Sequence, residues 1–168
     1  RNIFNWMAFE MGGFDVNLLF LNQYPCMNYI VDKTFKSIDY RSIKFEIAEY
    51  ENCIFEQCIF AEIELNAAVF VNCVFKECDL SLASTRNTSF NDVTFEYCKI
   101  LAVRFDNCKK FLFEVSFKHC NCNHASFYLT NLKNTKFDTC KLQGVDFSDA
   151  DLTGVQFLDC ELLDAIFD

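Results

Sequence analysis

The chain has 168 residues, among them 21 Phe, 11 Cys, 4 Gly and a single Pro, with a formal net charge of −9. So few Gly and Pro exclude the turn-rich sandwiches and barrels. The acidic balance, 24 acidic against 15 basic side chains, excludes a generally basic nucleic-acid-binding surface, and no apolar run approaches the roughly 18 residues of a membrane span.

Residues 1–32 follow no repeat and are apolar, with Trp6 and the sole proline, Pro25. They are expected to be an N-terminal extension or cap. Met27-Asn28-Tyr29-Ile30-Val31 reads as a natural start, so residues 1–26 are expected to lie outside the native fold. From residue 33 a period of five takes over. Phe35, Tyr40, Phe45, Tyr50, Phe55, Phe60, Leu65, Phe70, Phe75, Leu80, Thr85, Phe90, Phe95, Ile100 and Phe105 form a series in which Thr85 alone is not large and apolar. A second series two residues earlier, including Ala48, Cys53, Cys58, Ala68, Cys73, Cys78, Val93, Cys98 and Val103, is small or β-branched. Two inward positions in five bury a continuous narrow core only if the chain turns every five residues.

At Asp106-Asn107-Cys108-Lys109-Lys110-Phe111 the frame slips by two. The large series is expected to resume as Leu112, Phe117, Cys122, Phe127, Leu132, Phe137, Leu142, Phe147, Leu152, Phe157, Leu162 and Phe167, with Lys110 opening the small series. Two added residues should bulge from one face, and insertions in repeat proteins mark binding faces. The repeat is still in phase at Phe167, so further coils and a cap are expected beyond Asp168.

The frame of small residue, polar residue, Leu or Phe and two variable residues, as in Ala150-Asp151-Leu152-Thr153-Gly154, Val145-Asp146-Phe147-Ser148-Asp149 and Cys78-Asp79-Leu80-Ser81-Leu82, resembles that of pentapeptide-repeat proteins over residues 33–168. The resemblance implies an all-β, right-handed quadrilateral parallel β-helix with four pentapeptides per coil. Phe35, Phe55, Phe75 and Phe95 would stack on one face.

Nine of the eleven cysteines fall in the small inward slot, where Ala, Val and Thr also occur, so they serve as small hydrophobes. Cys53 with Cys73, or Cys120 with Cys140 and Cys160, would stack on neighbouring coils, as reduced thiols of a cytoplasmic protein. Cys53, Cys58, Cys73 and Cys78 mimic a zinc set, but their spacing is that of the repeat, and no metal or cofactor is expected. His119 and His124 fall at outward corners, away from any exposed thiol. No phosphate loop or nucleophile elbow is present, and an enzyme is the disfavoured class.

Charge is zoned. Residues 45–75 hold six Glu and no cation; 138–168 hold eight acids and only Lys141; 99–136 hold seven cations against Asp106 and Glu114. The chain is most similar to the quinolone-resistance (Qnr-type) branch of the family, in its Phe- and Cys-rich repeat, its acidity and its single break near Phe111. That resemblance implies a dimeric, non-enzymatic DNA mimic that binds bacterial DNA gyrase and topoisomerase IV and protects them from quinolones. It also implies no direct nucleic-acid or membrane partner and a homodimer formed through a C-terminal region beyond this chain. Glu46, Glu49, Glu51, Glu56, Glu62, Glu64, Asp146, Asp149, Asp151, Asp159, Glu161 and Asp164 would imitate phosphates, and Asp106, Asn107, Lys109, Lys110 and Phe111 would touch the topoisomerase. The alternatives are a general protein-interaction scaffold and an immunity protein against a gyrase-directed peptide toxin.

Overall fold

A computed structural model describes residues 27–168. Eleven short strands follow one another in chain order: β1 (Asn28–Val31), β2 (Thr34–Lys36), β3 (Ala48–Glu51), β4 (Ile54–Glu56), β5 (Val69–Val71), β6 (Val74–Lys76), β7 (Ser89–Asn91), β8 (Val93–Glu96), β9 (Val115–Lys118), β10 (Lys136–Asp138) and β11 (Gln156–Leu158). All pair in parallel with the counterpart one coil away. The first side of the rod is a four-stranded sheet in the order β1-β3-β5-β7, and the second is seven-stranded, β11-β10-β9-β8-β6-β4-β2. The third and fourth sides are held by isolated bridges, such as Asp39↔Ile59↔Asp79↔Lys99 and Arg104↔Ser126↔Asp146. The result is a four-sided parallel β-solenoid of seven coils, roughly 30 Å long at ~4.8 Å per coil.

The five-residue turn has a local cause. One residue in nearly every pentapeptide, two places after the large inward residue, has a positive φ, as at Asn52, Gln57, Glu62 and Ala67. At many corners the large residue's carbonyl then accepts from the amide three places on, as Ala68 N–H does to Leu65 O at 3.0 Å and Ala125 N–H to Cys122 O at 3.0 Å. That is the bond of a type II turn, which requires a positive φ at its third residue. The left-handed conformation costs roughly 1–2 kcal/mol for most side chains, which Asn and Asp bear best. Asp32, Asn52, Asn72 and Asp92 accordingly line one corner, and Asn52 Nδ2 donates to Asp32 Oδ1 at 3.2 Å.

Within the rod the large residues stack in four columns, and on two opposite sides long runs of Phe meet Phe. Phe35, Phe55, Phe75, Phe95, Phe117, Phe137 and Phe157 stack as one column with centroids 4.8–5.3 Å apart. On the opposite, fourth side Phe105, Phe127, Phe147 and Phe167 do the same, and the two columns meet edge to face, as Phe117 and Phe127 do at 5.8 Å. Leu132 and Leu142 fill the other two sides, so like residues oppose each other in the second frame, as the sequence implies. The one polar member of the large series, Thr85, is buried and satisfied by donating its hydroxyl to Arg104 O at 2.7 Å.

Two boundaries differ from the sequence reading. The ladder starts before residue 33: β1 pairs with β3, Asn28 opposite Ala48, and half-buried Ile30 packs against the core. Residues 28–32 therefore belong to the first coil, because Ile30 occupies the large slot five places before Phe35; the extension expected over 1–26 lies outside the described residues. The large series also does not resume at Leu112, which is 59% exposed with a φ of 55°, nor does exposed Lys110 open the small series. Half-buried Phe113 enters the core instead.

The cysteines extend further in register than the sequence suggests. Cys58, Cys78, Cys98, Cys120, Cys140 and Cys160 share one column on the third side, since Lys99 pairs with Asn121 across the break. Their Sγ atoms donate to carbonyls, as Cys98 does to Phe75 O and Cys120 to Phe95 O, both at 3.3 Å. Burial raises the Cys73 thiol to about 11 and the Cys108 thiol to about 12 and also holds Cys98 and Cys122 high. Their folded values exceed the unfolded ones, so this stabilisation is complete below the unfolded thiol range of about 8.5 and is lost above it. Denaturant titrations should show stability falling above about pH 8.5, by up to roughly 1.4 kcal/mol per pH unit for each such thiol. Stability flat to pH 10 would contradict it. Phe137→Ala, which opens a hole between two stacked rings, should cost about 3–5 kcal/mol by the same measurement.

Candidate functional site

The winding is irregular over residues 41–47, where no corner residue has a positive φ and Ile43 is exposed, and it takes up its two added residues after Arg104. After Arg104 the chain forms a short 3-10 turn, Phe105–Asn107, in which Phe105 keeps its inward place and Cys108 N–H bonds back to Phe105 O at 3.0 Å. Arg104 clamps Asp106 with its Nη2 at 2.7 Å from Oδ2. Lys109 N–H then donates to Thr88 O and Glu114 N–H to Phe90 O, each at 2.9 Å. Between these two anchors the chain leaves the first side as a bulge.

Apolar side chains crown that bulge. Phe111 is 82% exposed and Leu112 59%, whereas Phe113 folds under it against Phe90 and Phe105, with centroids 6.4 and 6.1 Å away. Lys109 and Lys110 stand exposed beside the crown, and among the described residues neither enters an ion pair. One coil further along, at the corner beside the bulge, Tyr128 and Leu129 are also exposed. A groove beneath it is lined by Asp92, Phe113, Glu114, Ser116, Lys133 and Lys136. Phe111 is the most exposed large apolar side chain of the described residues, and with Leu112 beside it and two cations alongside that enter no ion pair there, it forms a surface suited to a partner protein.

The structure brings Lys109, Lys110 and Phe111 together on this bulge. Asp106 is set apart from them by its ion pair, and Asn107 by its carbonyl, which accepts from Asn87 N–H at 2.9 Å. Leu112, Phe113 and Glu114 complete the bulge and were not among the residues singled out. A signal for Phe113 exists in the alternation Phe113-Val115-Phe117, which reads as a strand already facing the core at 113, one residue after the Leu112 that the slip suggests.

The twelve carboxylates are dispersed. In the register of strands and bridges no two of them occupy one column on successive coils. Glu49 and Glu51 lie on the first side, Glu56 on the second, Glu62 and Glu161 on the third, and Glu64 and Asp146 on the fourth. Several are engaged: Glu56 with Lys36 at 3.1 Å, Asp151 with Lys133 at 3.1 Å, and Glu51 with the Tyr29 hydroxyl. Bonds from Thr153 and the Lys133 ammonium hold Asp151 below the ordinary carboxylate range. The basic waist is partly neutralised too, by Lys99–Asp79 and Arg104–Asp106 pairs. His119 stacks on Tyr97 at 4.7 Å, at an exposed corner. Among the described residues no cluster of His, Cys, Asp and Glu is arranged to hold a metal ion, and no helix is long and apolar enough to cross a membrane.

A family model described as a pentapeptide repeat region matches residues 48–114 and 90–167. No curated protein matches the chain. Among solved structures, trypsin-treated QnrB1, described as a plasmid-mediated fluoroquinolone resistance protein, is 17% identical over 80% of this chain and 92% of its own, with a TM-score of 0.35. Full-length QnrB1 is 13% identical over 84% and 94%, with a TM-score of 0.36. HetL of the cyanobacterium Nostoc sp. strain PCC 7120, a pentapeptide-repeat protein involved in heterocyst differentiation regulation, is 18% identical over 83% of this chain and 59% of its own, with a TM-score of 0.37.

The two parts of the break carry different expectations. Phe111→Ser should leave stability within about 0.5 kcal/mol of the parent, because the ring contacts nothing in the core. Phe113→Ala should cost about 2–4 kcal/mol by removing a ring from the Phe90–Phe105 contact. Chemical denaturation of the two variants checks both; equal losses would contradict the assignment of Phe113 inward and Phe111 outward.

Proposed function

Because the chain belongs to the pentapeptide-repeat family, we propose that it is a non-enzymatic protein-interaction rod that docks a partner through its mid-rod bulge. One observation carries this reading: two backbone anchors hold Phe111 and Leu112 outward beside Lys109 and Lys110, which enter no ion pair among the described residues. The core has no use for that apolar surface. A partner that buries the pair gains roughly 1.5–3 kcal/mol per side chain, and anchoring to β7 limits the conformational freedom lost on binding.

The net charge of −9 favours one narrower version, in which the partner is DNA gyrase or topoisomerase IV and the rod shields it from quinolones by imitating DNA. Imitation of a duplex calls for carboxylates in continuous unpaired rows. Their dispersal over four sides, with opposite charges between them along the columns, supports the general scaffold more than the mimic.

Deleting Lys109 and Lys110 is the discriminating variant. It puts Leu112 five places after Phe105, where it can take the large inward slot, and turns the 22-residue coil into a regular one of 20, so stability should stay within about 1.5 kcal/mol. Quantitative affinity capture with the parent and this variant should reveal a partner whose recovery drops at least roughly ten-fold on deletion. Identical partner sets from two folded proteins would overturn docking by the bulge. Purified gyrase with a fluoroquinolone tests the narrower version: recovered supercoiling with the parent but not the deletion supports topoisomerase protection, and no recovery with either rejects it.

A further inference from the structure

The second side of the rod carries a column of charges that alternates without interruption. Its outward positions next after the stacked Phe residues are Lys36, Glu56, Lys76, Glu96, Lys118 and Asp138, in register on six successive coils. The alternation survives the insertion because β8 and β9 pair directly, Glu96 opposite Lys118, while the bulge leaves from the first side. The adjoining outward column, Thr34, Ile54, Val74, Thr94, Ser116 and Lys136, is short-chained until its last member. This face is thus a flat parallel sheet with one charged row. Lys36 and Glu56 close an ion pair, whereas among the described residues Lys76, Glu96, Lys118 and Asp138 enter none.

A row that reads positive, negative, positive, negative, positive, negative has the opposite sign at every place when turned end for end. We propose that this face joins two copies of the chain, antiparallel and face to face, about a twofold axis in the interface between the third and fourth coils. Lys76 of one copy then lies opposite Glu96 of the other, Glu56 opposite Lys118, and Lys36 opposite Asp138. All twelve charges of the two rows pair, and Val74 meets Thr94 beside them. A parallel arrangement about an axis along the rod sets the charged row against the Thr and Val column and pairs none. A second copy is therefore a partner whose complementarity is written in this chain itself, and the contact is isologous, closing at two.

The charged row spans about 24 Å, five coil spacings of ~4.8 Å, and the face is smaller than the roughly 800 Å² per partner of a standard stable interface. Exposed charges are screened over about 10 Å at 0.1 M salt. The association is accordingly weak and salt-sensitive, and its orientation is set by electrostatics.

Sedimentation velocity of the full 168-residue chain at roughly 0.1–0.5 mM, a concentration suited to a small interface, tests it. Dimer is expected at low salt and monomer at about 0.5 M salt. Lys76→Glu and Glu96→Lys each create two like-charge contacts across the twofold axis and should weaken association by about ten-fold or more. The double variant K76E/E96K restores opposite signs between copies, so its dimer should return. Within each chain, however, the double variant leaves like charges adjacent at positions 56 and 76 and at 96 and 118, so its melting temperature should stay below the parent's. That split separates pairing between copies from a purely internal ladder. A parent that is monomeric throughout, a double variant as dissociated as the singles, or a dimer indifferent to salt and to both reversals would each overturn the proposal.

Discussion

Each inward side chain in this protein rests on its counterpart one coil away, at the distance imposed by the hydrogen bonds between parallel strands. That single spacing, about 4.8 Å, lies within the range at which offset-stacked aromatic rings pack well, with centroids roughly 4.5–7 Å apart. The backbone ladder and the phenylalanine columns therefore reinforce each other. Phe117 over Phe137 at 5.0 Å, with planes 3° apart, is as much a product of the amide bonds as of the rings. The small inward position, filled by Cys, Ala, Val or Thr, lets the four columns approach closely enough for edge-to-face contacts between sides.

The same constraint explains how the chain tolerates two extra residues. Shifting all four columns would break seven coils of stacking. Instead the addition is absorbed on the first side, where the sheet ends at β7, and the second side runs through β8 and β9 without a gap. Phe113 moves inward to cover the rings left open above it, and the two residues before it are carried outside. Exposed apolar surface at Phe111 and Leu112 is the consequence, and it appears where insertion disturbs the core least. Core continuity and a protruding contact surface thus come from one local rearrangement.

Most of this fold was legible in the five-residue period, because the two inward series slip together and only a turn every five residues can bury both. The stacking of Phe35, Phe55, Phe75 and Phe95 followed directly. The break was legible as a place but not as a conformation. Both Leu112 and Phe113 are apolar and either could have filled the vacant slot; the choice follows from Lys109 and Glu114 bonding to the carbonyls of Thr88, just before β7, and Phe90, within it, which composition does not reveal. The start of the ladder was read one pentapeptide late, since Asn28 and Ile30 are poorer members of the two series than those that follow. Zoning of charge along the chain suggested acidic ends and a basic waist, but neighbours in the rod are 20 or 22 residues apart. Only that register shows opposite charges alternating along the second side and the carboxylates scattered over four.

A rod whose core is continuous and whose insertion is carried on one side is suited to presenting surface, and its other faces and its bulge can serve different partners. Residue-resolved amide hydrogen exchange tests the underlying claim most directly. Protection should follow the five-residue period up to Phe105 and resume, shifted by two, from Val115, with Lys109 and Glu114 protected and the amides of residues 110–112 exchanging freely. Fast exchange spreading from the bulge into β8 and β9, or uniform protection through 109–114, would contradict a continuous core with its insertion carried outside.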